Sequence, residues 1–205
     1  MKRLLILLLL LPALLGAQSA KSGERPSLVV VISIDQMKAE YFEWYGHQWN
    51  GGLKRLFTEG AVYTNAMLDY AASETGPGHA TLSTGSFPRT HGILGNEWVD
   101  PKTRKEVYCV SDSTAKPVDG VGGGVSPRNL EVTALGDWLK ASSKSSMVVS
   151  LSLKDRAAIL MGGKKPDHVY WYDRKTGKLV TSSAYASTTV PWMKTFNDQN
   201  WVFRN

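Results

Sequence analysis

Seven residues, Leu28 to Ile34, read LVVVISI. The run is nearly continuous in apolar residues and rich in β-branched ones. Such a run reads as a strand buried on both faces, the kind found in a parallel sheet covered by helices on each side. It ends at Asp35. A carboxylate at the end of a buried strand is costly unless something pairs with it. Ligands of open α/β sheets gather at the carboxyl ends of strands. Asp35 is therefore a candidate site residue, and a helix cap for the segment from Gln36 is the plainer alternative.

The rest of the chain alternates in the same spirit. Met37 to Tyr45 reads as a helix, and NGGLKRLFTEG as a second one ended by Gly60. AVYTNAML reads as a strand, as does the stretch around Val107 to Val110. AKPVDGVGGGVSPRN is a glycine- and proline-rich loop. NLEVTALGDWLKASS is a helix with Leu130, Ala134, Leu135 and Trp138 on one face. SSMVVSLSL is a buried-type strand, and KDRAAILMGG a helix closed by Gly162. HVYWYDRKTGKLVTSS reads as a hairpin turning near Thr176-Gly177, and VPWMKTFND as a short helix starting at Pro191. Alternating strands and helices with buried strands define an α/β fold with a mostly parallel central sheet flanked by helices.

The start of the chain stands apart. MKRLLILLLLLPALLGAQSA has a basic beginning, an apolar run from Leu4 to Leu15 and small residues to Ala20. That is the pattern of a secretory signal peptide over residues 1–20, with Ala17, Ser19 and Ala20 as candidate cleavage points. The run is too short for a membrane span, which needs about 20 apolar residues, so no stable anchor is expected. Residues 21–27 are expected to form a polar linker, and residues 28–205 to belong to a folded domain. The formal charge of +6 falls to +4 without Lys2 and Arg3. A mild positive excess fits an anionic substrate, and no block of like charge points to a nucleic-acid partner. Cys109 is the one cysteine, which excludes an internal disulfide and suits a periplasmic setting. Oligomeric state is not readable from these features.

SETGPGHATLSTGSFPRTHG, Ser73 to Gly92, carries the chemistry. Gly76-Pro77-Gly78 lets the backbone turn sharply and approach a ligand closely. HATLST continues as a helix, whose start offers free N–H groups and a favourable dipole for an anion. Thr75 stands at that start, either as a cap or as a nucleophile. A hydroxyl needs a base or a metal to become a good nucleophile. Adjacent βα units would bring Asp35 and Thr75 to one sheet edge, where a divalent metal could bind both.

ISIDQMKAEYFEWY, SETGPGHATLSTGSFPRTHGILGNEW, SPRNL, SLKDRAAIL and VYWYDRKTGKLVTSS together resemble the PafA-type alkaline phosphatases. These belong to the alkaline phosphatase superfamily, beside the nucleotide pyrophosphatase/phosphodiesterases. The resemblance runs from about Leu28 to the end and implies a two-zinc phosphate monoester hydrolase with a threonine nucleophile. It implies that Thr75 is the catalytic nucleophile and that Asp35 and Thr75 face zinc. It implies that Asn96, Lys154 and Arg156 hold the phosphoryl group. Fixed donors and cations suit a phosphoryl transition state, whose charge spreads over equatorial oxygens. The Lys-x-Arg pair resembles the monoesterase branch, because a monoester carries one more negative charge than a diester. Members of the family are longer, and their other zinc ligands come from an Asp-x-x-x-His pair, an Asp-His pair and a further histidine. None of these follows Arg156, so the chain is expected to be the amino-terminal part of such a protein. A phosphodiesterase of the same superfamily and a non-catalytic anion-binding remnant remain as alternatives. His79 and His91 read as structural rather than metal-binding, Cys109 as a small core residue, and Ser126 as a helix cap.

Overall fold

The computed structural model describes residues 26–71 and 73–199. The expected signal peptide and most of the expected linker lie outside the described residues. The described residues form two units, one ending at Ile34 and one beginning at Asp35.

In the first unit the LVVVISI run has no regular secondary structure and belongs to no sheet. Leu28 is 75% exposed and Ile32 70%. The expected buried strand is therefore not formed. A strand buried on both faces needs a hydrogen-bonded neighbour and covering helices, and the first unit by itself holds neither.

The second unit opens with helix α1 (Tyr41–Tyr45), a 3-10 turn (Gly46–Gln48) and α2 (Gly51–Glu59), which ends at Gly60 as its sequence indicates. The helix expected from Met37 starts later, at Tyr41. AVYTNAML forms a turn at Thr64-Asn65 within otherwise irregular chain rather than a strand. Next come α3 (Thr75–Thr84) and α4 (Pro88–His91). The antiparallel pair β1 (Glu97–Val99) and β2 (Glu106–Tyr108) follows, with Trp98 opposite Val107. The remaining elements are β3 (Pro117–Val118), α5 (Leu135–Ser142), β4 (Val149–Ser152), α6 (Asp155–Gly162), β5 (His168–Asp173), β6 (Lys178–Ser182) and α7 (Pro191–Asp198).

The larger sheet has the order β3-β6-β5-β4. β4 and β5 are parallel, joined through α6, with Val149 opposite His168. β5 and β6 form the expected hairpin, and β3 adds to β6 antiparallel. The α/β class holds, but the parallel part is the single pair β4–β5 among the described residues. Within the second unit AVYTNAML, expected as a strand, does not join the sheet.

The core lies where α3 and α6 pack together over β4 and β5. Ala80, Ile93, Cys109, Leu130, Ile159, Leu160 and Val169 are fully buried there. Burying each of the large aliphatic side chains contributes about 1.5–3 kcal/mol. α3 shows why its sequence lacks an apolar period: most of its circumference is buried. Its hydroxyls are satisfied internally, Ser83 Oγ donating to Leu160 O at 2.7 Å and Thr84 Oγ1 to Ala80 O at 2.7 Å. On α5 the expected face divides. Ala134, which precedes the helix, is buried, whereas Leu135 and Trp138 are each 47% exposed. Ser126 caps no helix; it donates to Asp112 at 2.6 Å and accepts from Arg128 N–H, closing a turn. No helix among the described residues is long and apolar enough to cross a membrane.

His91 is fully buried. Its Nδ1 accepts from the Ile93 N–H at 3.1 Å, which places the ring proton on Nε2, 3.1 Å from Thr81 Oγ1. Both nitrogens are thus used by the fold. Burial lowers the pKa of this ring. An unfolded chain takes up a proton below the ordinary value of about 6.5, while the folded chain resists to lower pH. The stability contributed is complete above that value and is lost as pH falls below it. Stability should fall between pH 7 and pH 5, by at most about 1.4 kcal/mol per pH unit from this one group, and the thermal midpoint with it. His91→Gln should show a shallower dependence; equal slopes in the two proteins would contradict the assignment.

Candidate active site

α3 is ten residues long, and Thr75 is its first residue, 8% exposed. Glu74 precedes it in extended conformation, and Pro77 falls in the first turn, where a missing N–H costs no helical bond. Gly76 is required by close packing. A Cβ there would lie 3.1 Å from Gly95 O, 3.2 Å from Cys109 Sγ and 3.3 Å from Asn96 Oδ1.

Asn96 closes the helix start from above. Its Oδ1 accepts the Gly76 N–H at 2.8 Å, and its own N–H donates to Glu74 Oε2 at 2.6 Å. With the amide oxygen committed to the helix, the NH2 is the end available to an incoming acceptor.

Asp35, Thr75 and Lys154 form one hydrogen-bonded cluster. Thr75 Oγ1 donates to Asp35 Oδ2 at 3.2 Å and accepts from Lys154 Nζ at 3.2 Å. Lys154 Nζ also pairs directly with the Asp35 carboxylate. That ammonium holds the Asp35 carboxyl below its ordinary value, against the opposing effect of burial. Gln36, next in the chain, has φ of 64°, a left-handed conformation that non-glycine residues rarely adopt. Such backbone strain concentrates at functional sites.

Lys154 immediately precedes α6, and Arg156 sits in its first turn. The strand-to-helix connection after β4 thus presents two cations one residue apart. Arg156 does not join the hydrogen-bonded cluster: its Nη1 donates to Tyr108 Oη at 3.2 Å. Tyr108 and Asp155 were not singled out in the sequence. The available signals were an aromatic residue beside Cys109 and an acid between the two cations. His79, also buried, contacts Thr75 O through Nδ1 at 2.7 Å within α3.

Asp35 and Thr75 are the two expected metal-facing residues, and the structure brings them together. A zinc centre takes three or four protein ligands. No group of three or more His, Cys, Asp or Glu suited to a metal occurs among the described residues. The residues present therefore do not make up a zinc centre by themselves.

The fold is an α/β fold of the kind seen in alkaline phosphatase PafA. The crystal structure of wild-type alkaline phosphatase PafA superposes with a TM-score of 0.79 at 41% identity, over 81% of this chain and 33% of that one. A PafA variant in which a threonine, an asparagine, a lysine and an arginine are substituted gives 0.80 at 38% identity, over 82% and 34%. The model of the type I phosphodiesterase / nucleotide pyrophosphatase family matches residues 29–200, and the chain belongs to that family. Alkaline phosphatase PafA of Elizabethkingia meningoseptica is 41% identical over 97% of this chain and 37% of its own length. Alkaline phosphatase PhoV of Synechococcus elongatus is 42% identical over 85% and 32%. The chain spans about a third of the length of the curated relatives it matches.

Proposed function

We propose that this chain is exported to the periplasm and carries the nucleophile and the phosphoryl-holding side of a phosphate monoester hydrolase. The observation that carries the reading is the Asp35–Thr75–Lys154 cluster at the start of a buried helix. Thr75 is the nucleophile. Its hydroxyl is oriented by one anion and one cation, at the positive end of the α3 dipole. Asp35, held in its charged form by Lys154, is too weak a base to remove the hydroxyl proton unaided. In the complete family site two zinc ions would supply that activation, with Asp35 and Thr75 facing them. Asn96, Lys154 and Arg156 would hold the phosphoryl oxygens through an amide, a point charge and a planar fork. The same four residue types, Thr, Asn, Lys and Arg, are those substituted in the PafA variant, in that chain order. Two cations side by side favour the dianionic monoester over a diester, which needs less charge to balance it.

The test separates binding from turnover. The full chain is expected to bind inorganic phosphate in calorimetric titration, more weakly as salt is raised. It is expected to leave p-nitrophenyl phosphate unhydrolysed even with added zinc, because the described residues bring only two donors together. Zinc-dependent hydrolysis abolished by Thr75→Ala would show that the chain completes its own metal site. Absence of phosphate binding would remove the reading altogether.

A further inference from the structure

We propose that Tyr108, held in place by Asp155, is a positioning residue for Arg156 and so sets how tightly the site grips a phosphoryl group. The inference deepens the phosphate-binding reading above and rests on it. Tyr108 lies at the end of β2, and its ring packs on the core. Its hydroxyl donates to Asp155 Oδ1 at 2.5 Å and accepts from Arg156 Nη1 at 3.2 Å. Asp155 Oδ1 is fixed in turn by the Arg156 backbone N–H at 2.7 Å. The guanidinium carbon also stands 6.0 Å from the centre of the Tyr108 ring.

This arrangement does something a direct ion pair would not. A phenol stands between carboxylate and guanidinium, so the arginine is oriented without being neutralised by Asp155. One of its five donors is committed to Tyr108, and Nε is buried without a partner among the described residues. The remaining donors are left to an acceptor that offers two oxygens side by side, such as a phosphate. Burial pushes the Tyr108 hydroxyl well above its ordinary value, so it remains a donor to Asp155 wherever phosphate is a dianion. A free arginine side chain loses rotamer entropy when it is ordered, and fixing it beforehand removes part of that loss from binding.

The experiment is a double-mutant cycle read by calorimetric titration of inorganic phosphate into the full chain. Arg156→Ala is expected to weaken binding about 30-fold and Tyr108→Phe about 5-fold. In the Arg156→Ala background, Tyr108→Phe should have almost no further effect, because nothing is left to position. A merely structural role would instead weaken binding by the same factor in both backgrounds, and that outcome overturns the proposal. So does a Tyr108→Phe protein that binds as tightly as the unaltered one while Arg156→Ala binds poorly. If Arg156→Ala itself has no effect, the phosphate-site reading fails and this inference with it. Should Tyr108→Phe lower the thermal midpoint too far for titration, Asp155→Asn serves in its place, with a smaller loss of about 3-fold and the same coupling to Arg156.

Discussion

Lys154→Ala is expected to weaken inorganic phosphate binding about 100-fold, the largest loss at the site from a single substitution. Two effects act in the same direction. A charge-assisted hydrogen bond to the anion disappears, worth about 1.5–3 kcal/mol. The Asp35 carboxylate, now without its ammonium partner, also repels the ligand. About 1.4 kcal/mol corresponds to tenfold, so the combined loss reaches two decades. The second effect can be isolated. Asp35→Asn in the Lys154→Ala background removes the stranded charge and should recover part of the affinity. The Asp35 carboxyl should also titrate at higher pH in Lys154→Ala, since the lysine is the main cause of its depression. Calorimetry at low ionic strength and carboxyl-carbon NMR measure the two outcomes. Equal phosphate affinity in the unaltered chain and Lys154→Ala would remove Lys154 from the site.

Asp137→Ala is expected to destabilise the fold by about 3 kcal/mol, the largest effect on stability. Asp137 is buried, 9% exposed, on the first turn of α5. Its carboxylate accepts the Ala134 N–H at 2.8 Å, the Lys164 N–H at 3.0 Å and the Lys165 N–H at 2.8 Å. It therefore ties the start of α5 to the segment leaving α6. Truncation leaves three backbone donors without this acceptor, and an unmade bond to a buried donor costs about 1–3 kcal/mol. For a chain of this size, each 1 kcal/mol moves the thermal midpoint by about 2–4 °C. A fall of about 6–12 °C follows, with a smaller one for Asp137→Asn, whose amide oxygen still accepts. Gly163→Ala tests the same junction. Gly163 has φ of 83°, and a Cβ there would lie 2.8 Å from both Ala134 Cβ and Asp137 Oδ2. A midpoint unchanged in Asp137→Ala would show that solvent replaces the carboxylate without loss.

Much of the local structure was legible from residue order. The glycine and proline signals located the end of α2, the start of α7 and the turn between β5 and β6. Thr75 was expected beside a sharp turn at Gly76-Pro77-Gly78, with the helix continuing as HATLST; the helix instead begins at Thr75 and takes in all three residues. The failures share one cause. LVVVISI and AVYTNAML have the composition of strands, but a strand exists only with a partner, and pairing is a property of two segments. Ser126 has the residue type of a cap, yet the neighbour it meets is Asp112 rather than a helix start.

The candidate site divides along the same line. Asp35, Thr75, Asn96, Lys154 and Arg156 could each be nominated from the sequence, because strand ends, helix starts and family-like motifs are contiguous in the chain. That Lys154 pairs with Asp35 across 119 positions, and that Tyr108 reaches Asp155 across 47, was decided by tertiary structure alone. The physical reason is range. Backbone propensity, capping and periodicity act within a few residues and leave their mark on neighbours in sequence. A carboxylate meets its ammonium, or a phenol its guanidinium, only after the packing of α3 on α6 over β4 and β5 has brought distant segments to one place.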